Sequence, residues 1–330
     1  MERALDFLAV VSRPDFPSGT GPVGDYYNLR ALIDAHPTWN AAVLELNSRR
    51  TSVEWDGASM VVKQEGLQPI DVGNVGVALY LPISLEVDET LLSSIDHGGQ
   101  WPRFDQEQWR PITAAFEDRL TRGRCLNRPD RVRLANNKLL QFERLMAAGF
   151  SLPPSIIANE FPRTRTFSGI DELVSKNVSE GGWKSPTEFS PARIINSHEV
   201  TDPWPSIWQQ PIRSDRELRF YVMGDVVVTV ELDRNPEVLD VRSTNDGKPS
   251  ARITVAPEAW IQQVLAMTRC LELDYAVIDA IPTREDLHVL EVNANGVWWF
   301  LPDEVAAIIE QRFHLWLTQC VEREREDQGR

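Results

Sequence analysis

The residues best spaced for shared chemistry lie near the end of the chain. Tyr275–Pro282 (YAVIDAIP) and Leu287–Asn293 (LHVLEVN) are strand-like runs separated by Thr283–Asp286, and this spacing predicts a hairpin. Pairing about that turn sets Asp279 opposite Glu291 or its neighbour. With Asp279 opposite Glu291, Asn293 joins them, because residues two apart on a strand share a face. Two carboxylates and an amide carbonyl are hard oxygen donors, suited to magnesium rather than zinc. A one-residue slip would break the set, and the ordinary polar face of an edge hairpin would account for the same residues. Asn293-Ala294-Asn295-Gly296 then leads into Val297-Trp298-Trp299-Phe300, a polar turn against an aromatic wall. The glycine there permits close approach of backbone to a ligand.

A second signal is the choice of cation. Of 34 basic residues, 29 are arginines and five are lysines: Lys63, Lys138, Lys176, Lys184 and Lys248. Genomic base composition accounts for the bias itself. Three of the five nonetheless fall between 138 and 184, and the compact lysine ammonium suits phosphate oxygens.

The elements that must position these residues read as mixed α and β. Expected strands are Leu5–Val11, Val53–Lys63, Val77–Ile83, Ser155–Asn159, Leu173–Asn177 and Ile207–Ile212. Glu217–Met223 and Val226–Leu232 read as a further hairpin turning at Gly224-Asp225. Helices are expected at Ile112–Arg122, Asn136–Gly149, Pro257–Leu271 and Pro302–Arg323. Ser18–Asp25 is a loop by composition, and Gly98–Pro111, rich in Trp, Pro and Gln, reads as a break between lobes. The charged tract Glu322–Arg330 is expected to fray.

Length and composition narrow the class. A chain of 330 residues with 42% hydrophobic and 25% charged residues suits a globular protein of two domains or two lobes. No run of 18 apolar residues is present, so a membrane span is not expected. The charged opening Met1–Asp6 is unlike a secretory signal. Three scattered cysteines, Cys125, Cys270 and Cys320, form neither a disulfide framework nor a zinc spacing, which points to the cytoplasm. A net charge of −15 with no basic face argues against nucleic acid. A homo-oligomer is left open.

Four blocks resemble the ATP-grasp superfamily and, within it, the RimK-like branch that includes graspetide (ω-ester-containing peptide) synthetases. They are LNRPDRVRLANNKLLQFERLMAAGFSLPPSIIAN (126–159), QQPIRSDRELRFYVMGD (209–225), DVR (240–242) and LDYAVIDAIPTREDLHVLEVNANGVWWFLP (273–302). The closing Glu-Val-Asn-x-Asn-Gly with downstream Trp is similar to the peptide-maturing ligases. The resemblance implies an α/β fold with α+β lobes that hold ATP between them over residues 116–330. An open-sheet preATP-grasp domain over 1–115 would precede it. It also implies a carboxylate phosphorylated by ATP with Mg2+, then displacement of phosphate by an amine or hydroxyl.

Residue by residue, the resemblance implies that Lys138 and Lys176 contact the nucleotide's phosphates. Ser179–Gly182 would be a glycine-containing lid, with Lys184 beside it or exposed. Gln209, Gln210 and Ile212 would face adenine, Gln210 standing where the family commonly has an acid. Glu217 would hold the ribose hydroxyls. Arg219 and Arg242 would neutralise the transferred phosphate or acyl group, and Asp279, Glu291 and Asn293 would hold the metal, Asn293 also facing the nucleotide. The implied partners are a precursor peptide, or a small carboxylate with an amine or hydroxyl acceptor. The competing readings are a RimK-like ligase of amino acids or small acids, and a nucleotide-binding regulatory protein without turnover.

Overall fold

The computed structural model describes residues 4–12, 27–46, 51–81, 101–159, 172–178, 183–185, 188–189, 192–196, 205–234, 248–284 and 286–329. By its contacts the chain divides into two compact units, Met1–Pro129 with Phe313–Arg330, and Asp130–Arg312. The expected loop at Ser18–Asp25, the Ser179–Gly182 lid and Arg242 lie outside the described residues.

The first unit is built on a parallel sheet. Its elements are β1 (Leu5–Ser12), α1 (Leu29–Ala35), β2 (Ala41–Leu46), β3 (Thr51–Trp55), β4 (Met60–Gln64), β5 (Ile70–Asp71), β6 (Val75–Leu81), α2 (Trp101–Leu120) and β7 (Arg124–Leu126). The sheet order is β2-β1-β6-β7, parallel throughout. Phe7, Leu8, Ala9 and Val10 are all fully buried, the continuous apolar run of a strand covered on both faces.

Three expectations for this unit need correction. Val53–Lys63 is not one strand but the hairpin β3–β4. Asp56 Oδ1 accepts from the backbone N–H groups of Ala58 (2.9 Å) and Ser59 (2.7 Å), and Gly57 supplies φ +91°. That side-chain turn is local chemistry which the apolar count overrode. From Trp101 onward, the expected break at Gly98–Pro111 is instead the first half of α2, which continues through Pro111. The helical spacing of Trp109, Ile112, Phe116 and Leu120 prevails over the proline's punctuation, with Phe116 and Leu120 buried. The C-terminal tract does not fray at Glu322 but stays helical to Asp327. Glu322 accepts from Trp39 Nε1 at 2.6 Å, and Arg325 approaches buried Asp6 at 3.7 Å.

The second unit holds α3 (Pro129–Asn136), α4 (Lys138–Ala147), β8 (Ser155–Ala158), β9 (Glu172–Asn177), β10 (Trp183–Ser185), β11 (Glu188–Phe189), β12 (Arg193–Asn196) and β13 (Ser206–Gln209). After these come β14 (Arg216–Met223), β15 (Val226–Asp233), β16 (Ala251–Thr254), α5 (Glu258–Cys270), β17 (Tyr275–Pro282), β18 (Leu287–Asn293) and α6 (Asp303–Asp327), whose residues from Phe313 onward belong to the first unit. Two antiparallel sheets organise them, β12-β9-β13-β8 and β16-β15-β14-β17-β18. In the larger sheet one face is apolar, with Leu218, Phe220, Val222, Ile278, Ala280 and Val292 all buried. Helix α5 packs on β14 and β17 through buried Val264, Leu265 and Met267. The alternate positions of the same strands carry the polar residues.

Candidate active site

The hairpin β17–β18 has the register the site requires, and a bulge produces it. Near the turn the pairs are Pro282↔Leu287, Ile281↔His288 and Ala280↔Val289. Continued regularly, that register would set Asp279 against Leu290 and send Glu291 to the apolar face. An irregularity between Asp279 and Ala280 takes up one extra residue, so the pairs become Asp279↔Glu291, Ile278↔Val292 and Val277↔Asn293. Strand β14 adds Arg219↔Asp279, completing a row of three charged residues across three strands.

Every member of this row is paired. Arg219 donates from Nε to Asp279 Oδ1 at 2.5 Å and from Nη2 to Oδ2 at 2.8 Å, with both residues buried. A fork of this kind fixes the guanidinium plane. The Phe300 ring lies over it, 5.0 Å from Arg219 Cζ to the centroid. Lys138, the first residue of α4, reaches Glu291 Oε2 at 3.0 Å. Burial works against the Glu291 carboxylate, but Lys138 and Lys176 outweigh it and hold its pKa well below the usual range. Asn293 Nδ2 bridges the two acids, donating to Asp279 Oδ2 at 3.2 Å and Glu291 Oε1 at 3.1 Å.

The segment after β18 is pinned by two tyrosines. Tyr275 donates to the Gly296 carbonyl at 2.5 Å, and Tyr221 donates to the Val297 carbonyl at 3.2 Å. A Cβ on Gly296 would meet Val277 Cβ at 2.3 Å, so only glycine lets the chain lie this close to β17. Burial pushes the Tyr221 phenol well up, which keeps it a donor.

Of the other expected residues, Lys176 and Glu217 are electrostatically coupled to this row, whereas the described contacts of Gln209 and Ile212 are with other residues. Lys176, on β9, is electrostatically coupled to Glu291, Lys138, Glu217 and Asp279; burial lowers its pKa and the acids oppose that. Glu217 shares the face of Arg219 and is buried. Burial and the Asp279 carboxylate push its pKa up to about 7, against Arg219, Arg234 and Lys176. Gln209 is buried with its amide donating to Ser155 Oγ at 2.9 Å, whereas the Gln210 side chain is exposed. The Ile212 carbonyl accepts from Arg234 Nη1 at 2.9 Å.

Two residues of this neighbourhood escaped the sequence reading. Arg234 is buried at the end of β15, where it links the Ile212 backbone to the field of Glu217. Gln141 is buried on α4 and hydrogen-bonds the backbone of Val292. An arginine among 29 carries no local signal, and a lone glutamine in an amphipathic helix reads as solvated surface.

The cluster suits both a divalent cation and an anionic phosphate chain. Asp279 and Glu291 direct their oxygens toward one another's space, now occupied by the Asn293 amide and edged by Arg219 and Lys138. Half a turn of that amide would present its oxygen beside the two carboxylates. Lys138, Lys176 and Arg219 supply the positive charge that phosphates need. Among the described residues no group of three or more His, Cys, Asp or Glu comes together as a metal cage, so the donor set is two acids and an amide.

The fold has well-matched counterparts. The macrocyclase MdnC bound with precursor peptide MdnA, from Microcystis aeruginosa, superposes with a TM-score of 0.73 over 95% of this chain and 99% of that one, at 17% identity. The fold is that of an ATP-grasp ligase. The ATP-grasp ligase PsnB, complexed with a phosphomimetic variant of its minimal precursor, Mg and ADP, matches with a TM-score of 0.68. That match covers 95% of this chain and 98% of PsnB at 14% identity. At the level of sequence, a probable α-L-glutamate ligase of Histophilus somni is 27% identical over 228 residues, 66% of this chain and 74% of that protein. No family model matches the chain. The resemblance to the ATP-grasp superfamily and its RimK-like branch is thus carried by fold and sequence together. No helix among the described residues is long and apolar enough to cross a membrane.

Proposed function

We propose that this chain is an ATP- and magnesium-dependent carboxylate ligase of the cytoplasm that closes rings in a ribosomally made precursor peptide. The observation that carries the reading is the Arg219–Asp279–Glu291 row, flanked by Asn293 and Lys138 on one sheet face of an ATP-grasp fold. Lys138 and Lys176 bind the nucleotide's phosphates, Glu217 its ribose, and Gln209, Gln210 and Ile212 line its adenine. Asp279, Glu291 and Asn293 hold the metal. A magnesium ion held by these three side chains would supply positive charge to offset that of the phosphates.

A substrate carboxylate oxygen attacks the γ-phosphorus, the bond to the β–γ bridging oxygen breaks, and ADP leaves. A hydroxyl or amine then attacks the acyl carbon, loses its proton, and displaces inorganic phosphate to leave an ester or amide. Arg219 stays charged and, held flat by Asp279 and Phe300, donates to the negative charge that grows on the phosphoryl oxygens. Arg242 joins it in this reading.

The peptide substrate is supported by likeness to ligases whose structures hold a precursor peptide or a variant of one, a likeness extending over 95% of this chain. Incubation with ATP, Mg2+ and peptides encoded by neighbouring short reading frames tests it by mass spectrometry. Loss of one water per bond, with ADP released, is expected; ADP release with no mass loss would overturn macrocyclisation. The 27% identical glutamate ligase favours a second reading, addition of an amino acid to an acid terminus. That reaction would raise the acceptor's mass in the presence of free glutamate.

A further inference from the structure

The side chain that holds the backbone between Glu291 and Asn293 on β18 comes from outside the hairpin. Among the described residues strand β18 is the edge of its sheet, and one side of its backbone has no ladder partner there. At Val292 that side is taken by a side chain. Gln141 Oε1 accepts from Val292 N at 3.0 Å, and Gln141 Nε2 donates to Val292 O at 2.7 Å. The planar amide thus acts as a strand one residue long. It also donates to Ala135 O, and the residue is 1% exposed.

Val292 sits between Glu291 and Asn293, whose side chains point to the opposite face from its own. Holding both backbone groups of Val292 fixes the peptide planes from which those two side chains project. The same helix turn begins with Lys138, three residues before Gln141, and Lys138 pairs with Glu291 at 3.0 Å. Asn137 caps this turn, its Oδ1 accepting from Leu139 N and Leu140 N at 3.2 and 3.3 Å. One rigid turn therefore grips β18 by its backbone and by a carboxylate at adjacent residues.

We infer that Gln141 is a positioning residue for the metal site, setting Glu291 and Asn293 at the separation a small octahedral cation demands. The inference rests on the reading of Asp279, Glu291 and Asn293 as metal ligands. Magnesium tolerates little deviation from ideal geometry, so loosening one strand residue between two ligands weakens metal binding before it weakens nucleotide binding.

The test uses the full chain with ADP and Mn2+ as probes, read by calorimetry. Gln141→Met keeps size and burial but removes every hydrogen bond. It is expected to weaken Mn2+ binding in the presence of ADP by roughly 10- to 100-fold, the usual effect of losing a partner that orients ligands. ADP affinity without metal stays as in the native protein. Equal losses in both affinities, or none in either, would overturn the inference and make Gln141 an ordinary core residue. Should the methionine variant not fold, Gln141→Asn keeps the amide but shortens its reach by one methylene, and the same split is expected. Glu291→Gln in parallel separates the two readings. If it leaves Mn2+ affinity intact the metal site is misplaced; if it abolishes binding while Gln141→Met does not change it, only the positioning role fails.

Discussion

The two antiparallel sheets of the second unit are made of similar strands and carry opposite contents. In the four-stranded sheet Leu173, Ile195 and Trp208 form a small core, with Ile156 and Ala158 packed against it. It carries Lys176, which is electrostatically coupled to Glu291, Glu217 and Asp279, and the buried Gln209. In the five-stranded sheet seven of the eight residues of β14 are buried, and all eight of β17. Into that dense packing are set Glu217, Arg219 and Asp279, each ionisable and nearly out of solvent. The proposed phosphoryl-transfer centre would need fixed dipoles around the reacting phosphate, which deep packing favours. A surface that must admit and release a nucleotide needs less. Few buried apolar contacts give such a region a lower free energy of opening.

Breaking the buried pair should produce the largest effect. Asp279→Asn leaves Arg219 charged and uncompensated, and is expected to cost about 3–5 kcal/mol in a denaturant titration, along with turnover. A loss under about 1 kcal/mol would mean that the row is solvated. Next comes the rate. Arg219→Lys removes the fork and should lower turnover roughly 100- to 1000-fold with ATP affinity preserved, whereas Lys176→Ala on the smaller sheet should weaken ATP binding itself. Calorimetry with ATP and steady-state kinetics separate these; a rate loss confined to Lys176→Ala would invert the comparison.

The charge on Glu217 offers a third probe. Its folded pKa of about 7 lies above the ordinary 4.5, so the folded state holds a proton that the unfolded state has released between those values. Stability from this residue is full below about pH 4.5, falls as pH rises toward 7, and is flat beyond, spanning about 3 kcal/mol. Asp279, Arg219, Arg234 and Lys176 all face it, and Asp279 alone among them pushes the pKa upward. Melting temperatures at pH 5 and pH 8 should differ less in Glu217→Gln than in the native chain. An unchanged difference would assign the slope to other groups. The smallest effect belongs to the four-stranded sheet. Gln209→Leu removes the bond to Ser155 and should cost about 1 kcal/mol. Amides of β9 and β13 should also exchange faster than those of β14 and β17, and the reverse order would refute the stated difference between the sheets.

Legibility differed in the same way. The hairpins β14–β15 and β17–β18 were readable to within a residue or so, because strong β-branched runs flank short polar turns. Local punctuation misled where longer-range packing opposed it, at Pro111 inside α2 and at the charged end of α6. The Asp56 turn was missed because it depends on one side chain accepting from two backbone groups. Gln141 and Arg234 were invisible because their partners, Val292 and Ile212, lie 151 and 22 residues away.

The sequence by itself determined which side chains could meet: strand periodicity put Glu217 with Arg219 on one face, and Glu291 with Asn293 on another strand's face. It could not decide whether those faces coincide. That depended on one bulge in β18, which turns the regular register by a residue and so reverses which face Glu291 occupies relative to Asp279. Tertiary structure also brought Lys138 and Gln141 from α4 onto the outer edge of β18, and Phe300 over Arg219. The physical reason is that periodicity is a property of neighbours along the chain, whereas the pairing of charges, the filling of an edge strand and the stacking of a ring on a cation are settled only when distant segments pack.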